Sequence, residues 1–173
     1  MMETERLLIQ NWELEDWLAF RPIATDPNVM RYITGGVPWP DDVIQAWVER
    51  QIDNARATGF CLWKLVDKTN GRLVGFCGLQ FLGTTGEVEI GWWLASDCWG
   101  RGLATEAARQ VLSCGFEAAG LKRIVAVARP ENLASVNIMN KLGMQWEKDA
   151  TSDELGMRYS GINLVFYSIE RHT

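Results

Sequence analysis

The spacing of apolar positions divides the chain into alternating strand-like and helix-like stretches. Thr4 to Gln10 reads as a first strand and Glu13 to Ala24 as a helix, after which Asp26-Pro27 breaks the chain before a short turn around Val29 to Ile33. Gly35-Gly36 and Pro38-Trp39-Pro40 predict a loop. Asp41 or Asp42 is then placed to cap a helix reaching about Ala57, with Val43, Ile44, Trp47, Val48 and Ile52 as its apolar stripe. Phe60 to Val66 and Leu73 to Phe81 predict two strands joined by Asn70-Gly71, and Glu87 to Ala95 a third strand of an antiparallel meander.

In the second half, Ala104, Ala107, Ala108, Val111 and Leu112 recur at helical spacing between Leu103 and Phe116, and Gly120 stands where a helix stop is expected. Arg123 to Ala128 predicts a short buried strand. Leu133 to Leu142 predicts a further helix with Asn132 as N-cap and Gly143 just past its end, and Met144 to Lys148 and Met157 to Ile169 predict closing strands. Antiparallel strands followed by a βαβα unit make a mixed α/β (α+β) order. With no repeat, low-complexity tract or linker, residues 1–173 read as one domain.

Composition narrows the chemistry. The formal net charge of −5 argues against broad attraction to nucleic acid or anionic membrane, so an anionic ligand must be bound locally. The opening Met1 to Arg6 carries acidic residues where a signal peptide would be basic, and no apolar run is long enough to cross a bilayer; a cytoplasmic protein is expected. Cys61, Cys77, Cys98 and Cys114 form no Cys-x-x-Cys pair, and the only histidine, His172, is expected to be solvated at the chain end. No metal is expected, and neither a Ser-His-Asp nor a Cys-His mechanism fits.

The stretch Trp99-Gly100-Arg101-Gly102-Leu103-Ala104-Thr105 sets small residues where a strand gives way to a helix. The first N–H groups of a helix lack internal partners and carry the positive end of its dipole, which suits a pyrophosphate, with Arg101 adding a cation and Thr105 a hydroxyl. A P-loop is excluded because no Gly-Lys-Ser/Thr follows, and the dinucleotide fingerprint fails because Thr105 stands where its third glycine belongs.

Glu89-Ile90-Gly91-Trp92-Trp93-Leu94 followed by Trp99 to Ala107 resembles the acetyl-CoA motif of the GNAT acetyltransferases, most closely the RimJ/RimL-type branch, whose members acetylate ribosomal protein N-termini. Glu3 to Ile9, Asn132-Leu133-Ala134-Ser135 and Lys141-Leu142-Gly143-Met144 agree with it, so the resemblance covers nearly the whole chain. The family loop is usually Gln/Arg-x-x-Gly-x-Gly/Ala; Gly102 and Ala104 match, and Trp99 replaces the first residue. The resemblance implies a mixed, mostly antiparallel sheet of six to seven strands flanked by helices and splayed at the acetyl-CoA strand. It also implies that backbone around Trp92, Trp93 and Leu94 pairs with the pantetheine arm, with Asn132 and Lys141 as further cofactor contacts. Gly91 in mid-strand is expected to mark a bulge or close approach that opens the slot.

Acetyl transfer to nitrogen needs a neutral amine, and hence a base. A strand period of two puts Glu87 and Glu89 on one face, where crowding and partial burial would raise the pKa of one of them; the resemblance favours Glu89. A backbone N–H near Trp93 or Leu94 is a candidate for the developing oxyanion. Many family members place a leaving-group tyrosine four residues before the glycine at 143, but Met139 stands there, and Ser135 is the alternative the resemblance offers. Trp12, Trp39 and Trp47 are read first as core, second as an aromatic wall for the acceptor. The acceptor is expected to be a primary amine, on a small molecule or a protein N-terminus, with homodimerisation left open. The rival reading is a non-catalytic acyl-CoA-binding module, which Met139 favours.

Overall fold

The structure, a computed structural model, describes residues 1–171; the expectation for His172 lies outside the described residues. One eight-stranded sheet runs through the protein. Its strands are β1 (Met2–Glu3), β2 (Leu7–Gln10), β3 (Leu62–Asp67), β4 (Leu73–Phe81), β5 (Val88–Leu94), β6 (Arg123–Ala128), β7 (Gln145–Thr151) and β8 (Asn163–Glu170). They lie in the order β1-β2-β3-β4-β5-β6-β8-β7, and every neighbouring pair is antiparallel except β5 and β6. The eighth strand arises because Thr4 N–H donates to the Leu7 carbonyl (2.8 Å), folding the expected first strand into a small hairpin. At the other end, the segment from Met157 that was expected as strand stays a loop until Asn163. Gly156 and Gly161 have positive φ there, and Met157 N–H turns back onto the Ser152 carbonyl at 2.9 Å.

The helices are α1 (Asp16–Ala24), α2 (Pro27–Met30), α3 (Asp41–Thr58), α4 (Leu103–Glu117) and α5 (Leu133–Lys141). The expected turn after Asp26 is a short helix: the Asp26 carboxylate accepts from Asn28 N–H, and Pro27 occupies the first helical position. Neither Asp41 nor Asp42 caps α3. Pro40 does so in an extended conformation, and the two acids fall inside the first turn, where they meet the helix dipole. The α3 stripe is Ile44, Trp47, Val48 and Gln51, all buried, whereas Val43 is exposed. Gln51 works at a core position because its Oε1 accepts from Leu62 N–H (3.0 Å), fixing the start of β3.

Two groups of side chains pack the faces of β5. Trp12, Phe20, Trp47, Phe76 and Trp93 form an aromatic cluster under α1 and α3, with Phe20 stacked on Trp47 at 4.9 Å and Trp93 tilted against Phe76 at 5.0 Å. Trp12 and Trp47 are therefore core residues, while Trp39 is partly buried beside Trp93. On α4, Ala104, Ala107, Ala108, Val111 and Leu112 are buried as the spacing requires. At Gly115 a Cβ would press on Ile124 Cδ1 at 2.7 Å, so the missing side chain sets how closely α4 approaches β6.

The sheet opens between β5 and β6. Seven residue pairs tie β5 to β4 and six tie β6 to β8, but only Glu89 and Val125 join β5 to β6. Each strand follows its outer neighbour, and the two part beyond Glu89. Gly91 does not cause this: the β4–β5 register is unbroken through Gly78 and Gly91, and a Cβ at Gly91 would meet only Leu62 Cδ2 at an ordinary 3.5 Å. The close approaches belong to Gly78, against the Cys61 carbonyl, and Gly75, against the Trp93 carbonyl.

Candidate active site

A cleft of about 1400 Å³ runs along the opening, lined by β5, the loop after it, the starts of α4 and α5, and residues of α3 and the β7–β8 loop. Ala95 N–H donates to the Val74 carbonyl (2.8 Å), which fixes the phase of β5. Peptide groups alternate along a strand, so those of Trp92 and Leu94 face the opening and that of Trp93 faces β4. Of the two expected oxyanion donors, Leu94 N–H is the one so directed. The Leu94 carbonyl accepts from the Trp99 indole N–H at 3.0 Å, so the residue that departs from the family loop pins that loop to the strand it follows.

Ser96–Cys98 form one 3-10 turn, Trp99 is extended, and Gly100 and Gly102 adopt left-handed conformations (φ 73° and 76°) that a side chain would strain. Gly102 is the N-cap of α4 and offers no side chain, and the first intrahelical bond is Glu106 N–H to the Gly102 carbonyl. The N–H groups of Leu103, Ala104 and Thr105 therefore precede the helical ladder, at the mouth of a 15-residue helix. A Cβ at Gly100 would meet no atom within 4 Å. This bare set of donors fits a pyrophosphate. Trp99, Gly100, Gly102, Leu103, Ala104 and Thr105 all line the cleft, as do Trp92, Trp93 and Leu94. The exposed Arg101 does not; its carbonyl is held by Arg6 Nη1 at 2.9 Å.

Arg6 escapes any reading of the sequence. Its Nε donates to Glu106 Oε2 (2.7 Å), its own N–H and the Thr4 hydroxyl hold Glu106 Oε1, and the segment before β2 is thereby clamped to the first turn of α4. About a hundred residues separate the partners, so no local pattern reveals the pair.

Glu89 lies where β5 and β6 part, lines the cleft and is 8% exposed. Burial pushes its carboxyl up to about 7, against the opposing hydrogen bond from Gln80 Nε2 to Oε1 (2.7 Å). Gln80 is the cross-strand partner of Glu89, a second group that sequence reading misses although the β4–β5 register delivers it. Glu87 takes no part in the cleft. It precedes β5 and pairs with Arg123 (3.2 Å), which also holds Glu147 (2.6 Å); crowding by a second carboxylate is therefore not what raises Glu89.

At the other wall, Asn132 caps α5 by accepting from Ser135 N–H at 3.3 Å. The Ser135 hydroxyl has no protein partner among the described residues and lines the cleft with Asn132 and Lys141. Met139 is buried at 1% exposure. Cys98 lies beneath the loop with its thiol pushed up by burial, then by Asp97. Burial also holds Cys61 up at about 12.

Residues 6–145 match the sequence profile of the acetyltransferase (GNAT) domain. The chain is 35% identical over 146 residues to the uncharacterized N-acetyltransferase YnaD of Bacillus subtilis, covering 83% of this chain and 82% of that one. A GNAT-family acetyltransferase from Bacillus anthracis superposes with a TM-score of 0.81 at 28% identity, over 98% of this chain and 97% of that one. The ribosomal-protein-S5-alanine acetyltransferase of Vibrio fischeri superposes with a TM-score of 0.76 at 16% identity, over 98% and 95%; at that identity the likeness is one of fold. The chain belongs to the GNAT family of acetyl-CoA-dependent N-acetyltransferases.

Proposed function

We propose that this protein moves an acetyl group from acetyl-CoA directly to a primary amine, on a small molecule or a protein N-terminus, with Glu89 as the base. The observation that carries this reading is a carboxylate poised near neutral pH at the point where β5 and β6 separate. A base works best when its pKa lies near the operating pH, and Glu89 takes the proton from the incoming ammonium, directly or through water. The N–H groups of Leu103, Ala104 and Thr105 hold the pyrophosphate, and the peptide groups of Trp92 and Leu94 pair with the pantetheine arm as an added strand would. The Ser135 hydroxyl is the donor for the departing sulfur, Asn132 and Lys141 flank the cofactor, and Arg101 contributes at most a distant charge. Four unpaired cysteines suit a reducing, cytoplasmic setting.

The binding-module reading rests on Met139, which is buried and has no proton to give. Glu89 argues the other way, because a module that only binds has no use for a carboxylate buried beside the thioester. Thiol release from acetyl-CoA with a panel of amines, in wild type and Glu89→Gln, tests the choice. Turnover that collapses in the variant supports transfer, and tight CoA binding without turnover on any amine overturns it.

A further inference from the structure

Five cationic side chains line the cleft: Arg31, Arg50, Arg129, Lys141 and Arg158. None makes a salt bridge to a carboxylate among the described residues, whereas every arginine or lysine that does, namely Arg6, Arg21, Arg56, Lys64, Lys68, Arg72 and Arg123, lies outside it. Arg101, Arg109, Lys122, Lys148 and Arg171 outside the cleft are also without a salt bridge among the described residues, but the five in the cleft share one concave surface in a chain with 22 acidic and 17 basic residues, which points to charge brought by a ligand.

The phosphates of the cofactor answer for one end only. Lys141 sits in the last turn of α5, with its carbonyl held by Arg109 of α4, the helix whose N-terminus meets the pyrophosphate. Arg50 and Arg158 belong to the opposite end. The β7–β8 loop carrying Arg158 is tied to the turn before β5, where Thr84 N–H donates to the Leu155 carbonyl at 3.1 Å. On the α3 side, Phe60 packs on Phe81 (5.8 Å) at the end of β4, and Arg50, Phe60, Phe81 and Tyr159 all line the cleft. From Val88 to Leu94 the strand spans about 20 Å at ~3.3 Å per residue, which separates this pair from the phosphate loop. Glu89 is one step in from the Arg50 end and takes no ion pair from either arginine.

We infer that Arg50 and Arg158 form an anion subsite for the acceptor, so that the amine acetylated is one that also carries a carboxylate or phosphate group. The half-buried Arg50 has its pKa lowered by burial and then by the charge of Arg158. Arg158 is exposed on its loop, and both guanidiniums line the one cleft with no salt bridge to a carboxylate among the described residues. A bound anion relieves the repulsion between them, and each offers the forked donors that carboxylate and phosphate accept. The subsite fixes the acceptor by its acid group and leaves its amine toward Glu89. This inference rests on the acetyltransferase reading and supplies its substrate class.

The test uses matched acceptors with the full chain: amino acids against their amides, phosphoethanolamine against ethanolamine, and short peptides with Asp or Lys at the second position. A preference of tenfold or more in kcat/KM for the acidic member of a pair is expected, with the small-molecule and peptide arms identifying where the acid resides. Arg50→Gln and Arg158→Gln should each collapse that preference, chiefly through KM for the acceptor, and Arg50→Lys should restore part of it. Equal or better use of the neutral amines in every pair overturns the inference while leaving acetyl transfer standing. So does a variant whose lost turnover is matched by lost CoA affinity in calorimetry, because the pair would then serve the cofactor. Absence of turnover on all amines instead overturns the transferase reading beneath it.

Discussion

Replacing Glu89 by glutamine should stabilise the protein and disable it. In the fold the carboxyl is raised from 4.5 to about 7, chiefly by burial. Between these values the folded state holds a proton that the unfolded chain has released, so stability falls as pH rises from about 4.5 and levels off above about 7. At 1.36 kcal/mol per pH unit the full effect is ~3 kcal/mol. Glutamine has nearly the shape of the protonated acid and keeps a carbonyl oxygen to accept from Gln80, so it escapes the cost of burying a charge. Urea unfolding followed by tryptophan fluorescence should put Glu89→Gln ~3 kcal/mol above wild type at pH 8 and within ~1 kcal/mol at pH 5. The carboxylates shared by both proteins cancel in the comparison. Over the same range kcat/KM should fall by roughly 10²–10⁴, the usual worth of a positioned base. A stability gap equal at both pH values, or activity within tenfold of wild type, would refute the reasoning.

Other consequences follow from the same geometry. Wild-type kcat/KM should rise with pH through about 7 and flatten above it, since the base works only when ionised; a profile flat from pH 6 to 8 contradicts this role. Gly102→Glu should weaken CoA binding at least a hundredfold in calorimetry, as it sets negative charge at the phosphates on a left-handed backbone, and unchanged affinity in a folded variant rules out the loop. Arg6→Ala removes the clamp on Glu106 and the Arg101 carbonyl, so CoA affinity should drop several-fold together with Tm. Mass spectrometry after incubation with acetyl-CoA alone should find no acetylated enzyme, because Cys98 remains a thiol and the transfer is direct.

The elements were readable wherever one local rule governed them. The alanine stripe of α4, the Asn132 cap and the β4 boundaries lie where periodicity and turn residues put them. Boundaries moved where a short backbone turn, not the residue pattern, decided: Thr4 N–H folding onto Leu7, Pro40 taking the cap from Asp41 and Asp42, and the β7–β8 loop closing on itself. The site followed the same division. Glu89 and the glycine loop were visible as residue types at a strand-to-helix junction, but their supports were not. Gln80 depends on strand register, Arg6 on a contact across about a hundred residues, and Glu87 was drawn away by Arg123 of the neighbouring strand. Alternation alone made Glu87 and Glu89 equivalent; burial of one and pairing of the other made them different.

What β5 contributes is a separation of directions. Its odd side chains, Glu89 and Trp93, meet the aromatic face beneath α1 and α3, and Val88, Ile90 and Leu94 are buried on the α4 side. The peptide groups of Trp92 and Leu94 point sideways into the space that β6 vacates. A ligand arm can therefore lie in the plane of the sheet while an acceptor approaches from one face, and neither must displace the packing on the other. The opening ends where it does because Glu89 and Val125 still pair. The base thus stands on the last tied position of the strand, which combines a rigid backbone with access to the cleft. Had the strands parted one pair earlier, Glu89 would lie on a more solvated strand. Its carboxyl would return toward 4.5, and the chemistry that needs a neutral-pH base would lose it.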